Sequence, residues 1–223
     1  MGILRVMELT APIDAYCERI GTGFWAEPLN ALSNLAFFAA AALGLWYWRR
    51  GPARDRPSLY LICLVAIIGT GSFLFHTFAN RWSSFADVIP IALFIFAYFG
   101  LALRRFVGLS PMAAFVGTLA FVAASLAAEP LLASQLGSSA GYVAGLFALY
   151  AIGGYLVARD HPEGWPVFAA GGVFTVSLAF RMVDLPLCPD WPHGTHFLWH
   201  TLNAATLGLL LVAAVRGATP EPR

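Results

Sequence analysis

Seven apolar stretches dominate this chain, at residues 30–48, 58–78, 87–103, 111–128, 139–157, 165–180 and 196–215. A helix needs roughly 17 to 25 such residues to cross about 30 Å of hydrocarbon, so the pattern predicts an all-α integral membrane protein with seven transmembrane helices. The sixth stretch is the shortest. Composition agrees: 59% of residues are hydrophobic, 11% are charged and the mean hydropathy is +0.72, outside the range of soluble domains. The stretches divide the chain into an extracytoplasmic N-terminal segment (1–29), a seven-helix transmembrane domain (30–216) and a cytoplasmic tail (217–223).

Orientation follows from the basic residues, all of which are arginine. With the N-terminus outside, the inner loops hold Arg49, Arg50, Arg54, Arg56, Arg104, Arg105, Arg159, Arg216 and Arg223, leaving Arg5, Arg19, Arg81 and Arg181 outside. Short cytoplasmic loops retain arginine, so this bias predicts an outer N-terminus and, after seven spans, a cytoplasmic C-terminus. Residues 1–27 are interrupted by Arg5, Glu8, Asp14, Glu18, Arg19 and Glu27. They contain no signal-peptide apolar core and are expected to stay in the mature protein. The absence of lysine and the abundance of alanine, glycine and arginine suggest a bacterial source, and hence an inner-membrane protein whose outer face is periplasmic. A formal net charge of +1 gives no basis for nucleic-acid binding, so partners are sought in the membrane.

The five histidines are unevenly placed. His196 and His200 are four apart and share one face of the last helix, a spacing suited to metal ligation. The topology brings His76, near the outer end of the second span, and Asp87, opening the third, to the same membrane level. Ionisable groups at the margin of apolar helices are costly unless paired or coordinated, so this convergence favours a site. Three imidazoles with an open fourth position describe catalytic zinc, which activates water and polarises a carbonyl. Asp87 is then a general base or a partner orienting a histidine. Ser72 lies one turn before His76 and can reach a group bound beside it, or can instead bond back to its own helix. His193 is the reserve ligand, and His161 is expected to be a solvated loop residue.

Cys17 and Cys188 both fall outside the membrane while Cys63 lies within the second span, which predicts a Cys17–Cys188 disulfide.

Three blocks resemble the alkaline ceramidase family, seven-helix membrane hydrolases related to adiponectin-receptor-like proteins. They are Asp14-Ala-Tyr-Cys-Glu18 with Ala26-Glu-Pro-Leu-Asn-Ala-Leu-Ser-Asn34, Gly71-Ser-Phe-Leu-Phe-His76 with Asp87 beyond it, and His196-Phe-Leu-Trp-His200. The resemblance spans nearly the whole chain. It implies zinc held by His76, His196 and His200, with Ser72 and Asp87 assisting hydrolysis of ceramide, an N-acyl sphingoid base, to fatty acid and sphingoid base. It also implies calcium at the outer segment, for which Asp14, Glu18 and Glu27 offer hard oxygens. There the sequence departs from the family: the family's aspartate aligns closer to Ala15, and Ile20 stands where an oxygen ligand is expected. The alternatives are a receptor-like or structural zinc protein, with His193 or Asp87 closing the fourth position, and a hydrolase of another lipid amide or ester.

Overall fold

The computed structural model describes residues 8–51 and 53–218. Expectations that fall on residues 1–7, 52 and 219–223, including Arg5, Arg223 and most of the tail, lie outside the described residues. The described chain is helical: α1 (Pro28–Ser33), α2 (Leu35–Arg50), α3 (Arg56–Phe78), α4 (Arg81–Arg105), α5 (Pro111–Leu136), α6 (Ala140–Val157), α7 (Gly164–Leu187) and α8 (His196–Arg216). Six stretches are long and apolar enough to cross a membrane. The longest of these, Pro111–Val157, is broken at Gly137–Ser139 into α5 and α6, which pack against each other. The chain is membrane-embedded by this measure.

Local chemistry sets the helix ends. Asp55 accepts the Ser58 N–H at 3.0 Å and caps α3, and Asn80 forms a reciprocal capping box with Ser83 at the start of α4. Ser110 caps α5 one residue before Pro111. Each helix packs on the next from α2 to α8, and α8 closes the ring on α2 while also touching α3. Leu211, Ala213 and Ala214 make α8 the most enclosed helix of this bundle, whereas α5 buries little beyond Ala114.

Three helices are longer than the apolar runs suggest: α5 continues through Glu129 to Leu136 rather than stopping at residue 128, and α4 and α7 are extended as well. Helix α4 begins at Arg81 rather than at Asp87, because the Asn80 cap draws residues 81–86, with the polar Arg81, Ser83 and Ser84 among them, into the helix. Asp87 therefore lies in the second turn of α4 instead of opening it. Helix α7 runs through Leu187, so Arg181 and Asp184 are helical and not part of a loop. The α4 and α7 extensions carry inward-facing polar groups, Ser83 and Asp184 among them, which an apolar scan reads as the end of a span.

One glycine fixes a contact that matters for the site. A Cβ on Gly71 would overlap the Ala86 carbonyl of α4 and come within 3.1 Å of the Asp87 nitrogen. Only glycine allows that approach, which sets Ser72 beside Asp87.

Candidate metal centre

The chemistry-bearing residues collect at one end of the bundle, where the N-terminal segment covers the helix ends. His76 comes from the last turn of α3, while His196 and His200 come from the first two turns of α8. All three are buried, with relative exposures of 1%, 2% and 1%. Each offers a ring nitrogen, and the three lie within 4.8 Å of one another. Among the described residues this is the group that could hold a metal ion.

Hydrogen bonding fixes how two of the rings present themselves. Glu27 Oε2 lies 2.5 Å from His76 Nδ1. Burial pushes the Glu27 carboxyl up, but His76, Asn30 and Arg19 outweigh it and leave the group below the usual carboxylate range. An ionised carboxylate can only accept, so His76 Nδ1 carries the proton and Nε2 holds a lone pair. Ser33 Oγ donates to the Asn30 carbonyl at 2.9 Å, and with its single proton so used it accepts from His200 Nδ1 at 2.7 Å. His200 Nε2 is then a lone pair too. The two Nε2 atoms face each other at 3.1 Å. Two lone pairs at that distance repel unless a cation lies between them, and tetrahedral zinc with bonds of about 2.0–2.1 Å sets its ligand nitrogens roughly 3.3 Å apart. The donor set fits such an ion.

His196 is held differently. Its ring stacks on Tyr16 at 3.7 Å between centroids, and its Nδ1 is buried without a hydrogen-bond partner. Burial pushes the Tyr16 phenol up, so it stays neutral against the imidazole. The backbone of His196 is fixed by Asp184, whose Oδ1 accepts the N–H groups of Thr195 at 2.7 Å and His196 at 2.9 Å. Asp184 Oδ2 accepts the Cys17 N–H at 2.9 Å. Cys17 and Cys188 are joined as a disulfide, which ties the N-terminal segment to the end of α7.

Ser72 and Asp87 border the cluster. Ser72 Oγ lies 3.4 Å from His200 Nε2 and makes no bond back to its own helix among the described hydrogen bonds. Asp87 Oδ1 is buried and unpartnered. Below the site, toward the bundle interior, an apolar cavity is lined by Ile68, Phe94, Tyr142, Phe174, Asn203 and Leu207. Ile68 is one turn from Ser72, and Asn203 is one turn from His200.

Other residues fall elsewhere. His193 is exposed and outside the cluster. His161 is not simply solvated, since it is half-buried, accepts the Glu163 N–H at 3.1 Å and packs edge-on against Phe106. Asp14 is exposed, while Glu18 and Glu27 are buried at 6% and 2% and bonded to protein donors. Burial outweighs the N–H groups of Asn30 and Leu29 and leaves Glu18 raised. Glu27, Ser33, Tyr16 and Asp184 do work at this site that the sequence reading did not assign. One signal pointed to Glu27: it stands at the margin of the first span, at the level already argued for His76.

A bundle of membrane-length helices with a buried three-histidine cluster at one end defines a polytopic membrane protein with a metal-type centre. The family model described as Ceramidase matches residues 8–214. The chain belongs to that family. A search of the curated proteins finds no match.

Proposed function

We propose that this protein is a zinc-dependent intramembrane amidase that hydrolyses ceramide-like N-acyl sphingoid bases to fatty acid and sphingoid base. The observation that carries the reading is the 3.1 Å approach of two lone-pair nitrogens, His76 Nε2 and His200 Nε2, with His196 alongside. Zinc bound there supplies the Lewis acidity that activates water and polarises an amide carbonyl. Asp87, with its unpartnered oxygen, takes the proton from the attacking water and returns it to the departing amine. Ser72 donates its hydroxyl to the carbonyl oxygen as charge develops there. The apolar cavity beneath suits a hydrocarbon chain, and its lining residues Ile68 and Asn203 lie one turn from Ser72 and His200.

The same reading has the chain cross the membrane seven times, with α5 and α6 as separate spans. The histidine end then faces the periplasm and the arginine-rich ends of α2, α4 and α8 face the cytoplasm. A closed structural zinc is less well supported, because His193 is exposed and leaves only Asp87 as a fourth ligand. The purified protein in lipid nanodiscs, assayed on a panel of N-acyl lipids and lipid esters with and without chelator, tests the proposal. Chelator-sensitive release of fatty acid from ceramide is expected. A preparation holding one equivalent of zinc that cleaves no amide in the panel overturns it, and ester cleavage alone moves it to another lipid hydrolase.

A further inference from the structure

Arg19 belongs to the outer segment, yet its side chain is only 5% exposed. The guanidinium is spread over three oxygens: Nε donates to Glu27 Oε1, one terminal nitrogen to the Gly21 carbonyl at 3.4 Å, and the other to the His76 carbonyl at 2.9 Å. The last of these is a carbonyl in the final turn of α3, one of the groups a helix leaves without an internal partner and where positive charge is favoured. Arg19 thus grips His76 from two sides, directly at its backbone and through Glu27 at its ring.

This is also the place where the family resemblance implies calcium, and the oxygens offered for it are in use. Glu18 accepts the N–H groups of Leu29 at 2.7 Å and Asn30 at 2.8 Å. Glu27 Oε1 holds Arg19, and Oε2 holds His76 and the Asn30 side chain. Asp14 is exposed and shares no hydrogen bond with either, and Ile20 is 83% exposed. Calcium takes about 6–8 oxygen ligands, commonly several of them carboxylate. Two carboxylates already bonded to N–H donors and a guanidinium supply neither the free oxygens nor the uncompensated negative charge.

We infer that Arg19 is the resident cation of this segment and a positioning residue for His76, so that the segment is ordered without bound calcium. The positioning half rests on the zinc reading above; the calcium half does not. Partners of metal-ligating histidines typically alter metal affinity by about 10–100-fold, which sets the size of the expected effect.

The test uses the full-length protein in nanodiscs. Titrating the wild type with calcium is expected to give no binding heat, no shift of the melting temperature and no change in rate. Arg19→Ala is expected to release zinc to a chromogenic chelator about tenfold faster or more. Millimolar guanidinium, but not methylammonium or sodium, is expected to slow that release. Arg19→Lys, which keeps the charge and loses the planar fork, is expected to restore it only in part. Stoichiometric calcium binding that raises the melting temperature of the wild type overturns the inference, whether or not Arg19→Ala folds. Zinc release at the wild-type rate from a folded Arg19→Ala overturns the positioning role. A wild type that holds no zinc counts against the metal centre itself, and the calcium titration then still decides whether Arg19 is the cation.

Discussion

Asp184 Oδ1 lies 2.9 Å from the backbone nitrogen of His196, so a carboxylate near the end of α7 caps the helix that carries two of the three histidines. Thr195, at the cap position of α8, makes no side-chain cap of its own. The carboxylate comes across from α7 instead and joins α7, α8 and the N-terminal segment through three N–H groups. The turn between them needs Gly194 at φ +62°, since a Cβ there would overlap Asp184 Oδ1 and stand 2.8 Å from Cys17 Cβ.

Replacing Asp184 by alanine leaves buried N–H groups without an acceptor. Each such group costs about 1–3 kcal/mol. Asp184→Ala is expected to lower the melting temperature clearly and to weaken zinc retention, because His196 loses its fixed starting point. Thermal melting paired with zinc analysis checks this, and unchanged values for both count against the cap.

How much of this was readable beforehand depends on the range of each signal. Helix identity was legible because lipid exposure forces long apolar runs, and His196 with His200 was legible because a four-residue spacing is a local property of a helix. The start of α4 and the ends of α5 and α7 were less so, since Ser83, Asp87, Arg181 and Asp184 are polar residues serving the helix interior or its caps and Glu129 interrupts the apolar run of α5. The Glu27–His76 and Ser33–His200 pairs join positions 49 and 167 residues apart, and no spacing rule announces them. Glu27 in addition carries the residue type expected of a calcium ligand. What separates an oxygen ligand from a histidine partner is the direction of the side chain, which only the packed helices determine.

The Cys17–Cys188 bridge closes a sequence separation of 171 residues, and its two ends flank Asp184. Native disulfides commonly contribute about 2–5 kcal/mol. The double substitution Cys17→Ser with Cys188→Ser is expected to lower the melting temperature and to make it insensitive to reductant, while the wild type loses a comparable margin when reduced. Non-reducing peptide mapping that finds both thiols free in the wild type refutes the pairing.

At the opposite end of the bundle Asp55 pairs with Arg105 at 2.6 Å and caps α3. Burial raises its pKa, but the hydrogen bond and charge of Arg105, together with the Ser58 N–H, outweigh that and leave it depressed. A depressed carboxyl contributes stability that is complete above its unfolded pKa of about 3.9 and is lost as pH falls through the lower folded value. Asp55→Asn is therefore expected to melt below the wild type at neutral pH, with the gap closing only in strongly acidic buffer. Zinc content should not change, since the pair is remote from the histidines. A gap that persists undiminished into strong acid excludes the ion pair as its cause.

On the proposed zinc-amidase reading, the sharpest division within the site is between groups that would hold the metal and groups that would touch substrate or water. His76→Ala, His196→Ala and His200→Ala should each lose activity together with most bound zinc, because the remaining two imidazoles bind the ion poorly. Glu27→Gln keeps an acceptor for His76 Nδ1 but loses the charge, and should lower zinc affinity by about 10-fold or more while retaining measurable activity at high zinc. Ser72→Ala and Asp87→Asn should keep zinc near one equivalent. Asp87→Asn should slow turnover by about 10² to 10⁴, the usual effect of removing a general base, and more in kcat than in KM. Zinc analysis of the purified variants beside their rates separates the two classes. Full activity in His200→Ala removes the three-histidine assignment, whereas zinc loss in Asp87→Asn makes Asp87 a fourth ligand and turns the centre toward a structural role.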